Sequence, residues 1–125
     1  MTNPADIRIS VKTRYLPEQS DIAEERYVFA YTITIRNDSG EPCQLLSRRW
    51  VITDANGEVQ EVAGKGVVGE QPQLAPGQEY TYTSGSLLKT PTGTMQGTYT
   101  MCTDTGDEFD ATIPTFALVP PHLLH

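Results

Sequence analysis

The fold class that this 125-residue chain predicts is all-β, a sandwich of two antiparallel sheets with about seven strands. Three observations carry that expectation. Apolar and polar residues alternate with period two along several stretches. Turn signals separate those stretches at short intervals, Asn56-Gly57 foremost. No segment shows a sustained helical period.

In order, Ile7 to Tyr15 places Ile7, Ile9, Val11 and Tyr15 on one face and Arg8, Ser10, Lys12 and Arg14 on the other. After a polar connection carrying Pro17, Arg26 to Asn37 repeats the pattern with Tyr27, Phe29, Tyr31, Ile33 and Ile35 on the apolar face. Leu45 to Thr53 is the third strand. Its alternation puts Leu46, Arg48, Trp50 and Ile52 on one side, unless a bulge intervenes. Asn56-Gly57 then turns the chain back into Glu58 to Val62, both residues being tolerant of positive φ. Gly64 to Gln78 holds four glycines and two prolines and reads as a loop. Glu79 to Thr83 is a strand, Ser84 to Gln96 a long loop broken by Pro91 and Gly93, and Gly97 to Thr103 with Glu108 to Ile113 the last hairpin. Phe116, Leu118 and Val119 read as a short packed tail.

Two local features sharpen the class to an immunoglobulin or fibronectin-III type. Gly97-Thr98-Tyr99-Thr100-Met101 looks like the tyrosine corner of such domains, with Met101 where the core cysteine would stand. Trp50 occupies the third strand, where they bury a tryptophan. If Tyr99 and Met101 face inward, Cys102 faces outward. Cys43 and Cys102 are therefore expected as free thiols.

Charge limits the partners. With 9 Lys and Arg against 16 Asp and Glu, the net charge is −7. Nucleic-acid binding, which draws on a basic face, is not expected. Neither is adhesion to an acidic membrane. No apolar run approaches the ~20 residues of a membrane span, and Met1 to Asp6 lacks a signal peptide's basic start and apolar core. The expected location is the cytoplasm, in a single domain over residues 1–125.

Gly64, Lys65, Gly66, Val67, Val68 and Gly69 spell G-x-G-x-x-G. In a dinucleotide fold this loop follows a strand and opens a helix whose amino end holds a pyrophosphate. Here Pro72 and Pro76-Gly77 forbid the helix. What remains is a turn whose amides, with Lys65, would hold an anion such as a phosphorylated small molecule. The competing reading is architectural, with glycines taking positive φ or allowing close packing. Asp104, Asp107, Glu108 and Asp110 gather at the last hairpin without a calcium-loop spacing and read as a solvated turn. Arg48 shares the face of Trp50 and needs a rim or a carboxylate. The two histidines, His122 and His125, sit in a Pro-Pro-His-Leu-Leu-His tail. Neither a catalytic triad nor a metal constellation is legible, so no enzyme, metal or cofactor is expected.

The run Glu25-Arg26-Tyr27-Val28-Phe29-Ala30-Tyr31, then Gln44-Leu45-Leu46 with Arg48 and Trp50, resembles the bacterial ApaG family. Gly64-x-Gly66-Val67-Val68-Gly69, Gln71-Pro72, Pro76-Gly77 and Tyr82-Thr83-Ser84-Gly85 continue the likeness. So do Thr90-Pro91, Gly93-Thr94-Met95, Gly97-x-Tyr99-x-Met101 and Ile113-Pro114. The resemblance extends over essentially the whole chain, while Arg49, Lys65 and Cys102 occupy positions that these motifs leave open. It implies a fibronectin-III-like sandwich without established enzymatic activity. Similar domains in eukaryotic F-box proteins and in a polymerase-delta-interacting protein look like protein-interaction modules. Bacterial members are associated with cobalt and magnesium handling and lie near a dinucleotide-polyphosphate hydrolase gene. The expected function is a non-enzymatic module that binds a protein partner through loops or a sheet face. The alternative is a module holding pyrophosphate or a nucleotide at residues 64–69.

Overall fold

In the computed structural model, which describes residues 6–123, eight strands form two antiparallel sheets. The strands are β1 (Ile7–Tyr15), β2 (Tyr27–Asn37), β3 (Cys43–Asp54) and β4 (Val59–Lys65). They continue as β5 (Gln73–Leu74), β6 (Glu79–Leu88), β7 (Gly93–Thr103) and β8 (Glu108–Leu118). One sheet has the order β1-β2-β6, and the other the order β4-β3-β7-β8 with β5 paired to the start of β3. The expected all-β fold of two antiparallel sheets is thus present. No helix among the described residues is long and apolar enough to cross a membrane. His125 and the segment before Asp6 lie outside the described residues.

The period-two faces become the inner faces. Phe29, Ile33 and Ile35 of β2 and Leu45, Trp50, Met95, Tyr99, Met101 and Ile113 of the facing sheet are all buried. Trp50 meets Tyr31 across the sandwich at 5.4 Å between ring centroids and Phe116 at 5.9 Å, both edge-on. Edge-to-face packing satisfies the ring quadrupoles as well as burying their area. Cys43 and Cys102 lie on neighbouring strands of one sheet and form no disulfide with each other. Cys43 points into the core and Cys102 outward, as the register of Met101 requires.

Several boundaries differ from the sequence expectation, each for a packing reason. The expected loop Ser84 to Gln96 is instead the end of β6, a four-residue turn over residues 89–92, and the start of β7. Gly93 there is a close approach rather than a break, since a Cβ on it would lie 2.7 Å from the Thr53 carbonyl oxygen; just beyond the expected loop, one on Gly97 would lie 2.0 Å from that of Arg49. The expected tail is the second half of β8. Pro114 is tolerated there because β8 is an edge strand that bulges between Ile113 and Phe116. In β3 an extra residue, Leu46, bulges out, so Leu45 and not Leu46 fills the core ahead of Trp50. Tyr99 lies in mid-strand, and its hydroxyl bonds to that of Tyr82 on the opposite sheet rather than to nearby backbone. At the turn after β3 only Gly57 takes positive φ, at 82°, and Asn56 does not.

Candidate functional site

The glycine-rich segment is built on two irregularities of its neighbours. Antiparallel pairing of β3 with β4 places Gly64 opposite Arg48. A side chain at 64 would collide with the guanidinium, whose nitrogens stand 2.9 Å from where its Cβ would be. Arg48 therefore lies across β4 and donates through Nη1 to the carbonyls of Gly66, at 2.8 Å, and Lys65, at 3.2 Å. Meanwhile the bulge at Leu46 leaves a carbonyl that accepts the Gly66 amide at 2.8 Å and the Gln71 side-chain amide at 3.0 Å. The Gln44 side chain donates to the Gln71 carbonyl at 3.1 Å. Strand β3 thus grips both ends of the loop.

Between these grips, Val67 and Glu70 exchange backbone hydrogen bonds of 2.8 and 2.9 Å, closing a two-residue turn. Its central residues, Val68 and Gly69, have φ of 48° and 79°. Positive φ at both is the primed hairpin geometry, which favours Asn-Gly or Gly-Gly. Gly66, at φ 65°, cannot be replaced without collision, because a Cβ would sit 2.3 Å from the Glu70 carbonyl oxygen. Val67 is 0% exposed and roots the turn in the core, whereas Val68 is 62% exposed. A β-branched residue in the left-handed region is a backbone outlier.

Behind Arg48 lies the Tyr82–Tyr99 hydroxyl pair that joins the two sheets. Burial pushes both phenols well above their ordinary range, and the positive charge of Arg48 opposes this more weakly.

The structure thus brings Gly64, Lys65, Gly66, Val67, Val68 and Gly69 into one loop, with Lys65 exposed. The amides of Gly66, Val67 and Glu70 are turned into internal bonds. Arg48 reaches across the edge strand β4 to backbone carbonyls rather than to a carboxylate. The partnership of Arg48 with Gly64 escaped sequence reasoning, because a two-residue Asn56-Gly57 turn would set Arg48 opposite Lys65, whereas the chain turns over Ala55, Asn56 and Gly57 with Asp54 paired to Glu58. Leu46 and Gln71 left no signal either. Elsewhere, Arg49 is exposed and paired with Glu61, and His122 rests edge-on against Tyr15. Asp104, Asp107, Glu108 and Asp110 are all exposed. Among the described residues no group of three or more His, Cys, Asp or Glu side chains is placed to hold a metal ion.

A family model described as the ApaG domain matches residues 17–103. Protein ApaG of Thiobacillus denitrificans is 60% identical over 119 residues, covering 95% of this chain and 94% of its own. Protein ApaG of Azotobacter vinelandii is 56% identical over 126 residues and is covered in full. Among solved structures, the ApaA protein from Bordetella pertussis is 52% identical with a TM-score of 0.90, covering 93% of this chain and 94% of that one. The X-ray structure of the structural-genomics target SoR45 is 49% identical with a TM-score of 0.92, covering 98% and 92%.

Proposed function

The chain belongs to the ApaG family, and from that premise we propose that it is a non-enzymatic module that binds a protein partner through the loop following β4. One observation carries the reading. Val68 is an exposed apolar side chain at the tip of a turn that is held rigidly from below and is strained at that residue. Strain of this kind costs of order 1–3 kcal/mol and persists where the surrounding structure enforces it, often at binding sites. A preformed apolar tip on a fixed scaffold offers a partner contact area with little ordering penalty.

The alternative ligand, a phosphorylated small molecule at residues 64–69, has less support, because three of the local amides already have partners within the loop and β3. Divalent-cation handling is, on the favoured reading, the setting in which the partner works rather than chemistry done by this chain. The cytoplasm suits two cysteines that form no disulfide with each other, since a reducing compartment keeps thiols reduced.

The test is capture from native lysate with the wild type and a folded Val68→Asp variant, followed by calorimetry with the purified partner. Val67 is left intact because it is core. Loss of binding with Val68→Asp is expected. A partner held equally by both forms would rule this surface out, and saturable pyrophosphate binding at 64–69 would favour the alternative.

A further inference from the structure

We propose that the outer edge of β6 pairs antiparallel with the same edge of a second copy of the chain, joining two β1-β2-β6 sheets into one across a two-fold axis at Ser84. Four strands end the two sheets, and they are not protected alike. Unpaired edges are usually blunted by charges, prolines or bulges. The first strand carries Arg8, Lys12 and Arg14 on its exposed face, and β8 carries Asp110, Pro114 and a bulge. The fourth strand carries Glu61 and Lys65. By contrast β6 is uncharged from Tyr80 to Leu88, has no proline and no bulge against β2, and is ten residues long. Among the described residues no backbone hydrogen bond from a turn or loop reaches residues 80–88.

Self-pairing gives this edge a partner of matching chemistry. In an antiparallel pair directly opposed residues share a face, so an axis at Ser84 sets Tyr82 against Ser86 and Tyr80 against Leu88 on the inner side. On the outer side it sets Thr81 against Leu87, an apolar side chain that is 51% exposed. The same register opposes Glu79, whose side chain is 51% exposed, to the exposed Lys89 at both ends. Two complementary charge pairs therefore bracket the bare stretch, and slipping by two residues in either direction separates them. Because the contact is isologous it closes at two copies and consumes both bare edges. This surface is distinct from the loop after β4, so either proposal can fail alone.

Sedimentation equilibrium of the full chain over a wide concentration range tests it, with circular dichroism confirming that each variant is folded. A reversible dimer is expected. Glu79→Lys and Lys89→Glu should each weaken it by about tenfold, since both junctions become like-charged. An equimolar mixture of the two variants should recover wild-type affinity as a heterodimer, because both junctions are again opposite in charge. Glu79 also pairs with Arg36 within the chain, whereas Lys89 joins no ion pair among the described residues, so Lys89→Glu stands as the cleaner single variant. A monomer at every concentration would overturn the proposal. So would a dimer indifferent to both reversals, or open-ended assemblies, which would implicate another edge.

Discussion

Two tight turns bracket β4. At residues 54–57 the Asp54 carboxylate accepts the amides of Asn56 and Glu58, at 2.8 and 3.0 Å, and glycine occupies the one position that demands positive φ. Every residue there suits its place. At residues 67–70 a valine fills a position that asks for glycine or asparagine, and neighbouring side chains hold the backbone instead. Sequences that fold well tend to agree at every level, and departures from local rules concentrate where function requires them. The first turn exists to reverse the chain. The second displays a side chain.

The sharpest way to break this contrast is a glycine scan of both turns. Gly66→Ala places a methyl group against the Glu70 carbonyl, 2.3 Å away, at φ 65°. A loss of about 2–5 kcal/mol is expected from the left-handed penalty and overpacking together. Gly57→Ala meets no heavy atom within 4 Å, so only the conformational penalty of about 1–2 kcal/mol should appear. Equal losses in denaturant titrations would show that the loop is not gripped as described.

Next in size is the hydroxyl pair under the loop. Tyr99→Phe should cost about 1–3 kcal/mol, because it leaves the buried Tyr82 hydroxyl unpaired, while Tyr82→Phe with Tyr99→Phe should cost less than the single change. The pH dependence has a definite sign. Both phenols are raised in the fold by burial, so their contribution is complete below the ordinary tyrosine value of about 10 and falls as pH rises above it. Removing both hydroxyls should flatten the alkaline loss of stability. An unchanged alkaline limb would mean that other groups set it.

The fold was legible because its signals are local. Alternation in β1 and β2, Trp50 and the inward pair Tyr99 and Met101 each follow from residue spacing alone. What stayed hidden depends on contacts across strands. Gly93 looks like a breaker until Thr53 is seen pressing on it. Leu46 alternates acceptably on paper, and only the register with β7 reveals the bulge. At the site, G-x-G-x-x-G was visible as spacing, but its glycines serve Arg48 and the Glu70 carbonyl. Spacing alone does not separate its two valines, of which Val67 is rooted in the core and Val68 displayed.

The smallest expected effect tests the central claim most directly. Val68→Asn converts the turn to Asn-Gly, the pairing that primed hairpins favour. Measured by equilibrium denaturation and by calorimetry against the captured partner, it should raise stability by about 1 kcal/mol, the relief of a β-branched residue in the left-handed region, while weakening partner affinity at least tenfold. A variant more stable than wild type that binds the partner just as well would contradict the account, leaving Val68 as strain without a purpose.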